Sequence, residues 1–277
     1  MRAERHAGVA GLRTRWLEAG QGKPLILLHG ASLGSSCDVW SPVIDALAAR
    51  GLRVVAPDLP GFGETDNPLD PSLRFRMRFV PAFMEAVGIA RASVVGHSQS
   101  GRIPVMLAFE RPECLDRIVV VGTGSLLPPL AGAPKADAGE GEEGGTREPT
   151  IEETRALLED NLHDRSLITR EALALRHRMS LGKNFEAFAA RGAAKSPGGK
   201  AKEGVPPWQR LAEVPVPLRL VYGREDRGNA AQRAALAREM YPGLDLHLVD
   251  GARHLVMWDA PSELTRLVGE FVGGARG

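Results

Sequence analysis

The chain has 277 residues, 43% of them hydrophobic and 25% charged, with a formal net charge of +1. These values suit a globular domain with a sizeable core, and nothing in them argues for the clustered basic surface that nucleic-acid binding requires. The length fits one α/β domain carrying an insertion. The two cysteines, Cys37 and Cys114, match no metal spacing and read as reduced thiols of a cytoplasmic protein. The N-terminal stretch MRAERHAGVAGLRTRW lacks a signal-peptide apolar core, and no segment approaches the ~18–20 apolar residues of a membrane span. The expectation is a soluble cytoplasmic protein without nucleic-acid or membrane partners.

In chain order, residues 24–28 (PLILL) read as a buried strand, 41–50 as a helix and 52–56 as a second strand. Arg74, Arg76 and Arg78 read as a solvated helix face, with Phe75, Met77 and Phe79 alternating between them. A strand at 92–95 runs into a helix from 98 to about 109, with Pro104 early in it, where a missing N–H costs least. Residues 117–121 (RIVVV) form another strand. The alternation then stops between about 125 and 208. Residues 131–145 are rich in Gly, Ala and Glu and predict a mobile loop. Helices follow at 150–161, 169–180 and 184–191, the first with a capping box from Thr150 and Glu153. Residues 195–207 form a Gly/Pro/Lys-rich linker, after which strand 218–222, helix 230–240, strand 245–249 and helix 261–272 close the chain. Strands apolar on both faces, joined by helical crossovers, imply a parallel sheet covered on both sides. The block from 125 to 208 reads as a helical cap inserted into a core made of 1–124 and 209–277.

Residues 94–101 (VVGHSQSG) place Ser98 on a strand–turn–helix junction, a nucleophile elbow with Ser100 where a second glycine is usual. Small residues at 96 and 100 let the turn close, and the helix N-terminus favours negative charge developing at Ser98. His254 follows the last predicted strand and can serve as general base, then general acid. Asp226, directly after strand 218–222, is the candidate to orient the imidazole; Glu225 and Asp250 are rivals. The chain order Ser, Asp, His is that expected for such an elbow. His29-Gly30-Ala31-Ser32-Leu33-Gly34 follows the strand PLILL. There Ala31, with Ser32 next in line, is the candidate to donate a backbone N–H to an oxyanion together with Gln99. His29 is expected to hold this loop through hydrogen bonds.

Together these elements resemble the α/β-hydrolase superfamily over nearly the whole chain. Ala56-Pro57-Asp58-Leu59-Pro60-Gly61-Phe62-Gly63 looks like its strand-to-loop turn before the second helix. The resemblance implies a mostly parallel eight-stranded sheet flanked by helices, with an inserted helical cap. Within the superfamily the cap is similar to that of the meta-cleavage-product hydrolases, which split C–C bonds in aromatic and steroid degradation. Residues 149–153 (PTIEE) and 163–169 (HDRSLIT) carry this similarity. The resemblance places Arg176 where that family's arginine binds the dienoate end of the substrate; a solvated or salt-bridged cap arginine is the other reading. Residues 254–258 (HLVMW) also resemble the family, with Trp258 aligned. The chain departs from the pattern at His97, where the family usually has Asn, and at Leu255, where it usually has Trp. Both positions line the substrate pocket there. The oxyanion loop is also poorer in glycine.

The implied activity is hydrolysis of a C–C bond in a 2-hydroxy-6-oxo-dienoate-type acid, with no metal or organic cofactor. A carboxylesterase or lactonase with the same Ser98–Asp226–His254 triad is the alternative, and a non-catalytic ligand-binding receptor of the same fold is a third. A small-molecule substrate is the expected partner, and an isologous dimer is the default assembly.

Overall fold

The computed structural model describes residues 2–132, 145–194 and 205–274. Most of the expected loop at 131–145 and linker at 195–207 lies outside these residues. Eight strands form one sheet: β1 (Ala3–Val9), β2 (Leu12–Ala19), β3 (Lys23–Leu28), β4 (Leu52–Pro57), β5 (Ala92–His97), β6 (Leu115–Val121), β7 (Leu218–Gly223) and β8 (Asp245–Val249). Their order across the sheet is β1-β2-β4-β3-β5-β6-β7-β8, so β1 and β8 are its two edges. The pairs β1–β2 and β2–β4 are antiparallel; every pair from β4 to β8 is parallel.

Crossover helices cover both faces, as an apolar parallel sheet demands. On one face Ile26, Val94, Val120 and Leu220 pack against α2 (Leu73–Ala86), α3 (Arg102–Glu110) and α7 (Ala230–Met240). On the other, Leu25, Val54, Val95 and Val119 pack against α1 (Ile44–Ala48) and α9 (Pro261–Gly273). All six residues of β5 are buried. Each fully buried aliphatic side chain contributes ~1.5–3 kcal/mol relative to exposure, so the strand that carries Ser98 is among the best anchored.

Two features depart from the sequence reading. A hairpin, β1–β2, precedes the first predicted strand and turns at Ala10 and Gly11, whose φ angles of 49° and 80° are left-handed. Arg76 is a correction to the solvated face: Arg74 and Arg78 are exposed, but Arg76 is buried on α2 and donates from Nη2 to Gln99 Oε1 (3.1 Å).

Between β6 and β7 lie α4 (Ile151–Asn161), α5 (Arg170–Arg178) and α6 (Lys183–Ala194). The expected capping box opens α4: Thr150 Oγ1 accepts from Glu153 N–H (3.2 Å) and Thr150 N–H donates to Glu153 Oε2 (2.7 Å). These helices dock on the loops that follow the strands. Arg176 of α5 reaches the loop after β3, and Asn184 of α6 donates to Gly63 O (3.0 Å) after β4. No helix among the described residues is long and apolar enough to cross a membrane.

Candidate active site

Parallel strands align their carboxyl ends on one rim. The chain leaves β3 towards β4 on one side and returns to β5 on the other, which opens a crevice at that reversal. Ser98 follows β5, Ala31 follows β3, Asp226 follows β7 and His254 follows β8. The topology alone therefore gathers residues far apart in sequence.

Ser98 has φ 54°, the left-handed conformation of a tight strand-to-helix turn. A short 3-10 turn, Ser98–Gly101, leads into α3. Two glycines let it close. A Cβ on Gly96 would lie 2.6 Å from Gly101 Cα, and one on Gly101 would lie 2.1 Å from Thr123 Oγ1. The small-residue requirement therefore falls on Gly96 and Gly101. Thr123 Oγ1 donates to Ser98 O (2.6 Å) and ties the elbow to the end of β6. Gly101→Ala is expected to destabilise the protein by about 3 kcal/mol, at the upper end of overpacking costs. An unchanged denaturant midpoint would contradict this.

His254 Nε2 lies 2.9 Å from Ser98 Oγ, and His254 Nδ1 lies 3.0 Å from Asp226 Oδ2. All three groups are nearly enclosed. An ionised carboxylate only accepts, so this network assigns the imidazole proton to Nδ1 and leaves the Nε2 lone pair to accept the Ser98 O–H. The rival acids are committed elsewhere. Glu225 Oε2 accepts from Ala252 N–H (3.1 Å), and Asp250 pairs with Arg224 at the surface.

Ala31 is buried in the loop after β3, and Gln99 follows Ser98 in the first turn after β5. The leading N–H groups of a helical turn have no intrahelical acceptor, which makes Gln99 N–H a donor suited to an anion. Its side chain turns away to Arg76. The Ser32 hydroxyl accepts from Arg176 Nη2 (2.7 Å) and lies 3.2 Å from Ser35 Oγ. His29 Nδ1 donates to Gly30 O (2.7 Å) while Nε2 accepts from Leu59 N–H (2.9 Å). This bonding holds one neutral tautomer, and burial lowers the His29 pKa to about 4. Beneath the loop, buried Asp58 accepts from Cys37 N–H (2.6 Å), Glu64 N–H (2.8 Å) and Arg15 Nη1 (3.2 Å). This brace was not singled out from sequence, because Arg15 and Asp58 are 43 residues apart and only the fold brings them together.

His97 is enclosed beside the triad. Its Nε2 donates to His254 O (3.0 Å) and the two rings lie 4.8 Å apart. Burial pushes its pKa well below the usual histidine range, and the neighbouring His254 acts in the same direction. Leu255 is buried and its N–H donates to Asn161 O (3.0 Å). The Trp258 indole N–H donates to Val39 O (2.9 Å), which braces a short helix, α8 (Val256–Asp259), against the 3-10 turn Cys37–Trp40. Apart from His97 Nδ1, which is buried without a hydrogen-bond partner among the described residues, the polar groups of these expected pocket residues are thus spent within the protein.

Arg176 differs. It is half-buried by surface area, yet surrounded closely enough that desolvation lowers its pKa to about 10. No carboxylate among the described residues pairs with it, and its Nε is buried without a partner. The reading of a salt-bridged cap arginine therefore fails among these residues. One grouping of metal-ligating type occurs among them, Glu4, His6 and Glu64, and Glu4 is already held by Arg15 (2.8 Å).

A family model described as "Alpha/beta hydrolase family" matches residues 25–267. The chain belongs to the alpha/beta hydrolase family. This hydrolase is 28% identical to the 2-hydroxy-6-oxononadienedioate/2-hydroxy-6-oxononatrienedioate hydrolase of Burkholderia vietnamiensis, over 94% of the chain and 91% of that protein. It is also 28% identical to the 2-hydroxymuconate semialdehyde hydrolase of Pseudomonas sp. strain CF600, over 96% and 92%. Among solved structures it resembles a mutant meta-cleavage product hydrolase from Pseudomonas fluorescens IP01 complexed with acetates. There the TM-score is 0.77 and the identity 27%, with 97% of each chain covered.

Proposed function

We propose that this hydrolase cleaves a C–C bond in a 2-hydroxy-6-oxo-dienoate-type acid, with Ser98, His254 and Asp226 as its triad. The observation that carries the reading is Arg176. A desolvated guanidinium with no acidic partner among the described residues, hydrogen-bonded to Ser32 beside the Ser98 rim, suits a substrate carboxylate. The relatives named above support the same class of substrate. The helices between β6 and β7 serve as the cap, residues 125–208, and bring Arg176 to the core, residues 1–124 and 209–277.

In this mechanism the substrate carboxylate pairs with Arg176, and His254 moves the enol proton to give the ketone. The distal carbonyl is then attacked, with Ser98 as nucleophile or as activator of a water. The Ala31 and Gln99 N–H groups hold the oxyanion, and Ser32 keeps Arg176 in place. The C–C bond breaks; the acyl carbon retains the hydroxyl from water, and the departing carbanion takes a proton. Every step uses the chain's own groups and water.

Arg176→Gln separates this from ester hydrolysis by the same triad. Charge-assisted hydrogen bonds are worth ~1.5–3 kcal/mol, so kcat/KM for a coloured dienoate is expected to fall about 10- to 100-fold. Hydrolysis of a short p-nitrophenyl ester should change little. Equal losses on both substrates, or ester turnover with no dienoate turnover in the parent, would overturn the reading.

A further inference from the structure

The loop that carries His254 is held from two sides, by the residues after β7, where Glu225 N–H donates to Ala252 O (3.1 Å), and by the first helix of the insertion. Asp259, at the end of α8, accepts backbone N–H groups from both sides. His163 donates to each of its oxygens (3.0 Å), Asp164 donates to Oδ1 (3.1 Å) and Arg253 donates to Oδ2 (2.9 Å). Leu255 N–H, on the other side of His254, donates to Asn161 O (3.0 Å), and Arg253 Nη1 donates to Glu159 O (3.3 Å). The His254 carbonyl itself accepts from His97 (3.0 Å). The residues before and after His254 are therefore fastened to residues 159–164, where α4 ends.

We propose that Asp259 is a positioning residue through which the end of α4 sets the place of the His254 imidazole. A carboxylate that accepts three backbone N–H groups forms charge-assisted bonds and fixes their relative positions more tightly than packing alone. General-base catalysis is sensitive to such placement, and a shift of about 1 Å can cost on the order of 100-fold in rate. The insertion thus helps build the triad as well as cover it. Its α4 end belongs to the fixed frame of the site.

This inference rests on His254 acting on Ser98, so its test reads that pair directly. An alkyl phosphonofluoridate labels an activated serine: Oγ bonds to phosphorus, fluoride leaves, and the hydroxyl proton passes to the imidazole. Asp259→Asn replaces one acceptor with an N–H₂ group facing backbone donors. His163→Pro removes one of the two insertion-side donors, the one that reaches both Asp259 oxygens, and Leu162 before it (φ −116°, ψ 138°) already has the backbone a following proline requires. Both variants, compared at a temperature where near-ultraviolet circular dichroism shows them folded, are expected to label on the order of 10- to 100-fold more slowly. Their kcat should fall in parallel with KM unchanged, and the double variant should lose little more than the worse single one. Wild-type labelling rates in both variants would overturn the coupling while leaving the triad standing. A loss in Asp259→Asn alone would overturn the role of the His163 donor and leave the clamp to Asp164 and Arg253. Absence of wild-type labelling at Ser98 would overturn the triad and this inference together.

Discussion

Ser98→Ala is expected to lower kcat on the dienoate by about 10⁴- to 10⁶-fold, with KM near the parent value. The Ser98 hydroxyl is the group hydrogen-bonded to His254 Nε2 at 2.9 Å, and alanine leaves that nitrogen nothing to activate at the elbow. His254→Ala should cost about as much, and Ser98→Ala with His254→Ala together little more, because residues that act as one unit do not lose rate additively. The backbone at 98 is equally left-handed for serine and alanine, so the melting temperature should move little. Single-turnover kinetics with each variant would measure the chemical step directly. Residual activity within tenfold of the parent would remove Ser98 from the mechanism.

Asp226→Asn is expected to lower kcat by about 10⁴-fold with the fold intact. The loss follows from a tautomer, not from a missing contact. Asp226 Oδ2 accepts the proton on His254 Nδ1 at 3.0 Å. An amide turned to donate at that point would drive the proton to Nε2, which would then present an N–H where a lone pair must accept from Ser98. Glu225→Gln and Asp250→Asn provide the contrast. Glu225 holds Ala252 N–H and Asp250 pairs with Arg224, so both should retain most activity. Steady-state rates of the three variants would decide the matter. A near-normal Asp226→Asn enzyme, or an equal loss in Glu225→Gln, would refute the assignment of the orienting acid.

The parts legible in the sequence were those where local pattern and tertiary role coincide. Ala92, Val94 and Val95 are apolar because β5 is buried on both faces, and the turn after it demands small residues, so strand and elbow declared themselves together. The bounds predicted for α7 and β8 match the structure, since an alanine-rich run favours helix in the first and turn residues flank both. The hairpin β1–β2 was hidden because β1 is largely exposed and shows no period-two apolar pattern. Arg76 misled for the opposite reason: it is a charge buried against a partner distant in sequence, Gln99, and Arg15, buried against Asp38 and Asp58, went unread on the same ground. Asp259 could not be singled out at all. Its partners are backbone N–H groups, which every residue but proline offers, so only the fold reveals which ones converge.

The two outer strands bear on how the molecule behaves at high concentration. An unpaired strand rim invites another polypeptide to extend the ladder. Here β1 shows Glu4, Arg5 and His6 to solvent, and β8 is five residues long with Asp245 bound to Arg219 and His247. A foreign strand docking on either side would have to strip water from these ionic groups without replacing it. Such guarded margins disfavour fibrillar stacking, which lets the apolar interior strands stay long and strongly hydrophobic without hazard to the native protein.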